Sequence, residues 1–291
     1  MTRPWLVGLD VDGTILLPDE TMSPGVPEAV ARVRDAGHEV TIATGRSWSA
    51  TQRHVEALEI TPEYVVCSNG AVIMRRTDDG WERWNVETFD PQPALTMLRE
   101  RLPEARYMVE LASGERLYTQ LLGDWTLEGG RQVVFDELFH EPVSRIVVVS
   151  PTHDEEEFRE LVSDVGLNEV SYAIGWTAWL DIAPDGIDKG TALELVRSAL
   201  GVDGERVLVA GDGRNDLGMF SWAQSIGGRA VAMGQAPDEV KDAAGEVTTD
   251  VVEGGLVHAL DSLVLHADRT HDAADGSPDT DPAVAQVHAA E

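Results

Sequence analysis

Apolar residues in this chain fall into short runs with two different textures. Through Cys67 the runs alternate between strand and helix spacing. Leu6 to Asp10 reads as a buried strand, Pro27 to Ala36 as a helix stopped by Gly37, and Glu39 to Ala43 as a second strand. Ser47 to Leu58 then reads as a helix with Ser47 as its N-cap, and Tyr64 to Cys67 as a third strand. The same texture returns late in the chain. Helix Lys189 to Leu200, strand Val207 to Ala210, helix Asp216 to Trp222, strand Arg229 to Met233 and helix Pro237 to Ala244 follow one another. Strand–helix alternation implies right-handed crossovers and a parallel sheet.

Between these halves the pattern changes. Strand-like runs at Arg83 to Val86, Tyr107 to Glu110, Arg116 to Thr119, Arg145 to Ser150, Val170 to Ile174 and Trp179 to Ile182 mix with helices at Pro93 to Leu102 and Asp154 to Val165. The reading is an α/β protein with a Rossmann-like parallel-sheet core, residues 1–80 and 187–265, and an inserted α+β cap, residues 81–186. The last stretch, 266–291, has six acids, one arginine, no aromatic residue and no Leu, Ile or Met. It cannot bury enough to offset its ordering entropy, so it is expected to be a disordered acidic tail.

Charge narrows the partners. The 291 residues carry 52 acids against 22 bases, a net charge of −30, which repels nucleic acid and anionic membranes. Neither is an expected partner; a small molecule is. Only Lys189 and Lys241 are lysines, so a lysine in a motif draws notice where arginine is the rule. The longest stretch free of Asp, Glu, Lys and Arg, Leu217 to Gly228, has twelve residues, short of the roughly 20 that span a bilayer. One cysteine, Cys67, excludes an intrachain disulfide and points to the cytoplasm. The N-terminus meets Asp10 after a few apolar residues and does not read as a signal peptide.

Four strand ends carry unusual polar residues, and ligands of open α/β sheets sit beyond such ends. Asp10-Val11-Asp12-Gly13-Thr14 places two carboxylates on one side of a strand end, where they repel unless a cation lies between them. Thr44-Gly45-Arg46-Ser47 offers a hydroxyl, a glycine amide and a helix start, a cradle for an anion, although a plain strand-to-helix turn reads similarly. Arg46 itself lies near that anion or faces solvent; the sequence leaves both open. In Asp188-Lys189-Gly190, Asp188 fits a helix N-cap, while Lys189 sits at the unfavourable end of the helix dipole and needs a compensating anion. Gly211-Asp212-Gly213-Arg214-Asn215-Asp216 gathers two acids and an amide, more than capping requires. Asp10, Asp12 and Asp212 are hard oxygen donors without histidine or thiolate, which favours Mg2+ over Zn2+. Thr44, Gly45, Lys189 and Asn215 are then candidate donors to a phosphoryl group.

These four clusters, in this order, resemble the motifs of the haloacid dehalogenase-like phosphatases, in particular the Cof-type sugar phosphatases with a large α+β cap. Ser68-Asn69-Gly70-Ala71 and the run Ala230 to Val240 also read like that subgroup, and the insert falls where the subgroup carries its cap. The resemblance spans about residues 5 to 265. It implies a Mg2+-dependent phosphatase of small phosphate monoesters, sugar phosphates above all, working through an aspartyl-phosphate. Asp10 would be the nucleophile and Asp12 the acid and then the base. The metal would be held by the Asp10 carboxylate, the Asp12 backbone carbonyl and the Asp212 carboxylate, with Asp216 supporting them by hydrogen bonds. Thr44, Gly45, Lys189 and Asn215 would hold the phosphate.

Two other classes compete with this reading. A phosphohexomutase-type phosphotransferase would use the same first motif, but would release little free phosphate. A non-catalytic binding module would have no reason to carry the acids, the lysine and the asparagine together. Halide removal from carbon needs neither Asp12 nor a metal. Specificity is expected from the cap, with Trp81, Trp84, Trp125, Trp176 and Trp179 as pocket or core candidates.

Overall fold

Four-residue apolar strands buried along their whole length need cover on both faces, and that requirement shapes the first layer. In the computed structural model, which describes residues 3–121, 129–154, 156–158, 160, 170–174 and 179–272, the central strand β1 (Leu6–Leu9) is entirely buried. It pairs in parallel with β2 (Glu39–Ile42) on one side and β12 (Val207–Gly211) on the other. Next come β13 (Arg229–Ala232) and β14 (Gly245–Val247), giving the order β14-β13-β12-β1-β2, all parallel.

Helices cover both faces. Against Val7 and Leu9 pack α1 (Val26–Asp35), α2 (Trp48–Ala57) and α7 (Gly255–Asp272). Against Leu6, Val207 and Val209 pack α4 (Lys189–Leu200), α5 (Leu217–Ser225) and α6 (Asp238–Ala244). The expected parallel α/β sheet is therefore present. Helix α7 had no counterpart in the sequence reading. Its Leu256, Ala259, Leu260 and Leu263 repeat at helical spacing and are buried against α1. The helix runs on through Asp272, so 266–272 continue it rather than opening a tail; 273–291 lie outside the described residues.

A second difference concerns the start of the insert. Strand β3 (Tyr64–Cys67) lies beside β2 through the Ala43–Val66 bridge and then pairs antiparallel with β4 (Val72–Thr77). Strand β4 turns through Asp78-Asp79-Gly80 into β5 (Gly80–Val86). The run at Arg83 to Val86 thus belongs to a hairpin on the edge of the parallel layer, and not to the insert. Trp81 packs at a tilt against Trp48 with ring centroids 4.7 Å apart, and Trp84 likewise against Tyr64 at 4.8 Å, so both serve that packing. Trp125 and Trp176 lie outside the described residues, as does most of the helix expected at Asp154 to Val165.

The insert proper is a six-stranded sheet ordered β10-β11-β9-β6-β7-β8. Its strands are β6 (Arg106–Leu111), β7 (Arg116–Tyr118), β8 (Arg131–Gln132), β9 (Val143–Val149), β10 (Val170–Ile174) and β11 (Trp179–Pro184). All neighbours are antiparallel except β7 and β8. Helix α3 (Gln92–Arg101) buries Ala94, Leu95 and Leu98 against Tyr107, Val109, Ile146, Leu180 and Ile182 on one face. The opposite face carries Glu110, Arg145 and Asp181, and looks toward the strand ends of the parallel layer. Among the described residues no helix is long and apolar enough to cross a membrane, and Cys67 is a free, buried thiol.

The close crossing of α4 and α5 fixes where Lys189 sits. A Cβ on Gly190 would lie 2.6 Å from the Gly218 carbonyl oxygen and 2.8 Å from the Trp222 Cβ. Backbone at that range cannot swing aside. Gly190→Ala is expected to lower the unfolding free energy by about 1–3 kcal/mol, read from urea denaturation. An unchanged midpoint would mean the helices can part at no cost.

Candidate active site

Three neighbouring parallel strands, β2, β1 and β12, end together, and each releases its polar residues at the same edge. Strand order switches at β1, with β2 and its crossover helix on one side and β12 on the other, so a crevice opens beyond the strand ends there. Asp10 leaves β1, Thr44 follows β2 and Asp212 follows β12. All three are buried, at 4%, 0% and 6% exposure.

At the floor lies Lys189. It opens α4, whose N-cap Asp188 accepts from the Thr191 amide at 2.8 Å while the Thr191 hydroxyl accepts from the Asp188 amide at 3.0 Å. The lysine side chain is fully buried, and its Nζ donates to Asp10 Oδ1 at 2.6 Å and to Asp216 Oδ1 at 2.7 Å. Those carboxylates are the compensating anions that a lysine in a first helical turn requires. Burial alone would lower the Lys189 pKa, but Asp10 and Asp216 outweigh it and hold the ammonium charged. Asp216 spends its second oxygen on the backbone, accepting from the Asp212 and Gly213 amides at 2.9 Å each. It therefore shapes the loop that presents Asp212.

Asp10, Asp212 and Asp216 offer carboxylate oxygens all within 4.8 Å of one another. One ammonium against three carboxylates leaves negative charge in excess. Burial and this excess together appear in the proton affinities of Asp10 and Asp212. Burial raises Asp10 well above the ordinary carboxylate range against the pull of Lys189, with Asp216 and Asp212 adding to the rise. Burial and Asp216 push Asp212 up to about 7. An all-oxygen donor set with surplus charge suits a hard divalent cation.

The loops interlock closely. Gly13 has φ +71°, and a Cβ there would lie 2.0 Å from Asp212 Oδ2, so only glycine lets the first loop approach the fourth. Gln235, which the sequence reading did not single out, binds both. Its Nε2 donates to the Gly13 carbonyl at 2.6 Å and to Asp212 Oδ2 at 3.2 Å, and its Oε1 accepts from the Val251 amide at 2.9 Å.

Asp12 is placed differently. Its side chain is 59% exposed and held by Arg46, whose Nε donates to Oδ2 at 2.9 Å and Nη2 to Oδ1 at 2.5 Å. Arg46 also reaches Glu20 at 3.1 Å. The two possibilities left open for Arg46 thus resolve toward a carboxylate partner. The carboxylates that cluster are accordingly Asp10, Asp212 and Asp216, with the Asp12 carboxylate outside them.

Thr44 is buried, and its hydroxyl accepts from the Arg46 amide at 3.1 Å. Beside it, a Cβ on Gly45 would meet Asn69 Oδ1 at 3.0 Å. That same oxygen accepts from Asn215 Nδ2 at 3.1 Å. Asn69 thus links the second and fourth clusters. Ser47 occupies the N-cap of α2, but its hydroxyl makes no bond to the helix amides. Lys189, the three clustered acids, Thr44, Gly45 and Asn215 therefore meet at one edge of the sheet.

The chain is similar to known proteins along most of its length. The sequence pattern of the haloacid dehalogenase-like hydrolases matches residues 7–260. A 5-amino-6-(5-phospho-D-ribitylamino)uracil phosphatase of Bacillus subtilis is 28% identical, over 89% of this chain and 97% of its own. A pyridoxal phosphate phosphatase of Escherichia coli is 30% identical, over 85% and 95%. Among solved structures, a haloalkanoate-superfamily phosphatase from Bacteroides thetaiotaomicron superposes with a TM-score of 0.70 at 26% identity, over 89% and 95%. A subclass IIB sugar phosphatase shares the fold, with a TM-score of 0.73 at 20% identity, over 89% and 98%.

The burial of Asp212 beside Asp216 has a consequence for pH dependence. With divalent ions chelated, folded Asp212 keeps its proton to about 7, while the unfolded chain releases it near the ordinary 3.8. Its stabilising contribution is complete below the unfolded value and is lost as pH rises through the folded one. Unfolding free energy should fall over that window by up to about 1.4 kcal/mol per pH unit, and Asp212→Asn should flatten the slope. Denaturant titrations at several pH values check this; an equal slope in the variant would contradict it.

Proposed function

Because the chain belongs to the haloacid dehalogenase-like hydrolases, we propose that it hydrolyses small phosphate monoesters, sugar phosphates among them, at the edge where Lys189 meets Asp10. The observation that carries the reading is the buried carboxylate trio with a single buried ammonium, beside hydroxyl and amide donors at Thr44, Gly45 and Asn215. Relatives named as phosphatases of a ribitylaminouracil phosphate and of pyridoxal phosphate support the reaction class.

In this reading Asp10 attacks phosphorus, the ester oxygen departs, and Asp12 supplies the proton that oxygen needs. Asp12 then takes a proton from water, which attacks phosphorus and frees Asp10 and inorganic phosphate. Asp12 faces Arg46 in the present arrangement, so proton delivery requires that pair to open. Lys189 fixes the Asp10 rotamer and offsets charge as the phosphate dianion approaches. At an effective dielectric near 20, each pair of like charges at 4 Å costs on the order of 4 kcal/mol. Thr44, Gly45 and Asn215 hold the phosphoryl oxygens, so much of the catalysis is positioning and charge stabilisation.

Asp10 and Asp212 would hold a Mg2+ ion, with the Asp12 backbone carbonyl beside them and Asp216 and Gln235 fixing the Asp212 loop. When bound, the ion neutralises the carboxylates and the phosphate and polarises the P–O bonds. The six-stranded sheet acts as a cap that excludes water from the edge it faces, and residues 87–186 are the natural extent of that cap.

Asp10→Asn should abolish phosphate release by at least about 1000-fold with the fold intact. Lys189→Arg should also fail, since a planar fork cannot replace a compact charge wedged between two carboxylates. Inorganic phosphate assayed with Mg2+ over a panel of phosphate monoesters checks both. Full turnover in Asp10→Asn would remove the nucleophile assignment. Conversion of a sugar phosphate to its isomer with little free phosphate would make the protein a phosphotransferase instead.

A further inference from the structure

Asp12, the acid and base of the proposed reaction, is held in a charged cluster that the phosphoryl site does not explain. Arg46, between β2 and α2, donates from Nε to Asp12 Oδ2 at 2.9 Å and from Nη2 to Oδ1 at 2.5 Å, so both carboxylate oxygens are taken. The same Nη2 donates to Glu20 Oε1 at 3.1 Å. Next to them, Arg53 Nη2 reaches Glu20 Oε2 at 3.4 Å, and Arg53 Nε donates to His54 Nε2 at 3.2 Å. A ring nitrogen that accepts belongs to a neutral imidazole, so His54 adds no charge. Two guanidinium groups thus face two carboxylates.

Exposure differs sharply within the cluster. The Asp12 and Glu20 side chains are 59% and 62% exposed, and that of Arg46 only 16%. An exposed carboxylate can leave for another partner, since water solvates it on the way. A largely buried guanidinium left without an anion bears its desolvation cost uncompensated. Arg46 therefore releases Asp12 readily only when a second anion keeps it paired, and Glu20 is already in contact.

The backbone holds Glu20 ready for that role. It lies at the tip of the loop after β1, where the Leu17 amide donates to the Thr21 carbonyl at 2.8 Å and the Glu20 amide to the Leu17 carbonyl at 2.9 Å. Asp19 Oδ1 braces the tip by accepting from the Thr21 amide at 3.0 Å and from its hydroxyl at 2.6 Å. Glu20 itself has φ 63°, in the left-handed region. A turn that needed only this backbone would be better served by glycine or asparagine. A glutamate there accepts strain in return for what its side chain does, and that side chain meets Arg46 and Arg53.

Resting on the phosphatase reading above, we propose that Glu20 is a positioning residue, the exchange partner for Arg46 that frees Asp12 for proton transfer. With substrate at the strand-end edge, Asp12 turns toward the ester oxygen and Arg46 transfers its grip to Glu20. Only hydrogen bonds change in the exchange; the proton transfer remains that of Asp12. Direct contact of Arg46 with the substrate would instead make Glu20 a brace, and the two roles differ in which substrates register its loss.

Steady-state kinetics of the full chain with Mg2+ test this, using 4-nitrophenyl phosphate and the best of three alkyl esters: glycerol phosphate, ribose 5-phosphate and glucose 6-phosphate. An alkyl ester needs its leaving oxygen protonated, whereas nitrophenolate departs without a proton. Because kcat/KM covers the steps through departure of the alcohol, the later use of Asp12 as base does not enter it. Glu20→Gln leaves Asp12 as the sole anion of Arg46. The ratio of kcat/KM for the nitrophenyl ester to that for the alkyl ester is expected to rise about tenfold, and Glu20→Asp, which restores the charge, should return it to within about threefold of the unaltered value. In an Arg46→Gln background, Glu20→Gln should shift the ratio by less than about twofold, since its effect runs through Arg46. Glu20 is exposed, so its variants should fold, as urea midpoints check. An unchanged ratio in Glu20→Gln, or an equally large shift in the Arg46→Gln background, would overturn the exchange and leave the phosphatase reading standing. Release of phosphate from none of the esters by the unaltered protein would end both.

Discussion

A single ammonium group buried between two carboxylates sets the terms for the rest of this molecule. Lys189 is fully enclosed and touches Asp10 and Asp216 at once. Burying such a charge is unfavourable by several kcal/mol unless its partners are well placed. The placement is supplied by backbone. The Asp188 cap starts α4 at the right residue, glycine at 190 lets α4 press on α5, and the Gly13 turn lets the β1 loop close on Asp212. Each is a local choice that makes sense through its effect on one charge cluster. Three acids surround one lysine, which leaves a place for a further positive charge, and the proposed reaction would fill it with a divalent cation.

Above the cluster, the second layer works by different means. Its outward face packs α3 through aliphatic and aromatic contacts, as any sheet with one covered face does. Its inward face instead holds paired charges against the Ser68–Asn69 turn. The contrast between an apolar back and a charged front matches a layer that packs its own helix on one side and meets polar groups of the first layer on the other. Asn69, touching Asn215 on one side and Asp181 on the other, is where the two layers exchange hydrogen bonds.

Much of this was legible in the sequence, because chemistry collects at strand ends and strand ends are marked by apolar runs. Asp10, Lys189, Asp212 and Asp216 stand out for that reason, and the family resemblance follows from their order. The hairpin β4–β5 was not read although Asp79-Gly80 marks its turn, since only its second half looked like a strand and the composition around it suggested the insert. Helix α7 repeats apolar residues at proper spacing, but they follow two glycines and run into an acidic stretch that lacks Leu, Ile and Met. The contacts of Arg46, Asn69 and Gln235 could not be read at all. Each depends on a partner 34, 112 or 222 residues away, and nothing local to an arginine or amide reveals which carboxylate or carbonyl it will meet.

The central claim is that Asp10 and Asp212 carry surplus charge that a divalent cation neutralises, and direct titration tests it. Calorimetry of metal-free protein with Mg2+ at neutral pH should show one ion bound per chain, with Asp212→Asn losing that site while remaining folded. A chain that takes up no ion, or a variant that binds as tightly as the unaltered protein, would contradict the account at its root.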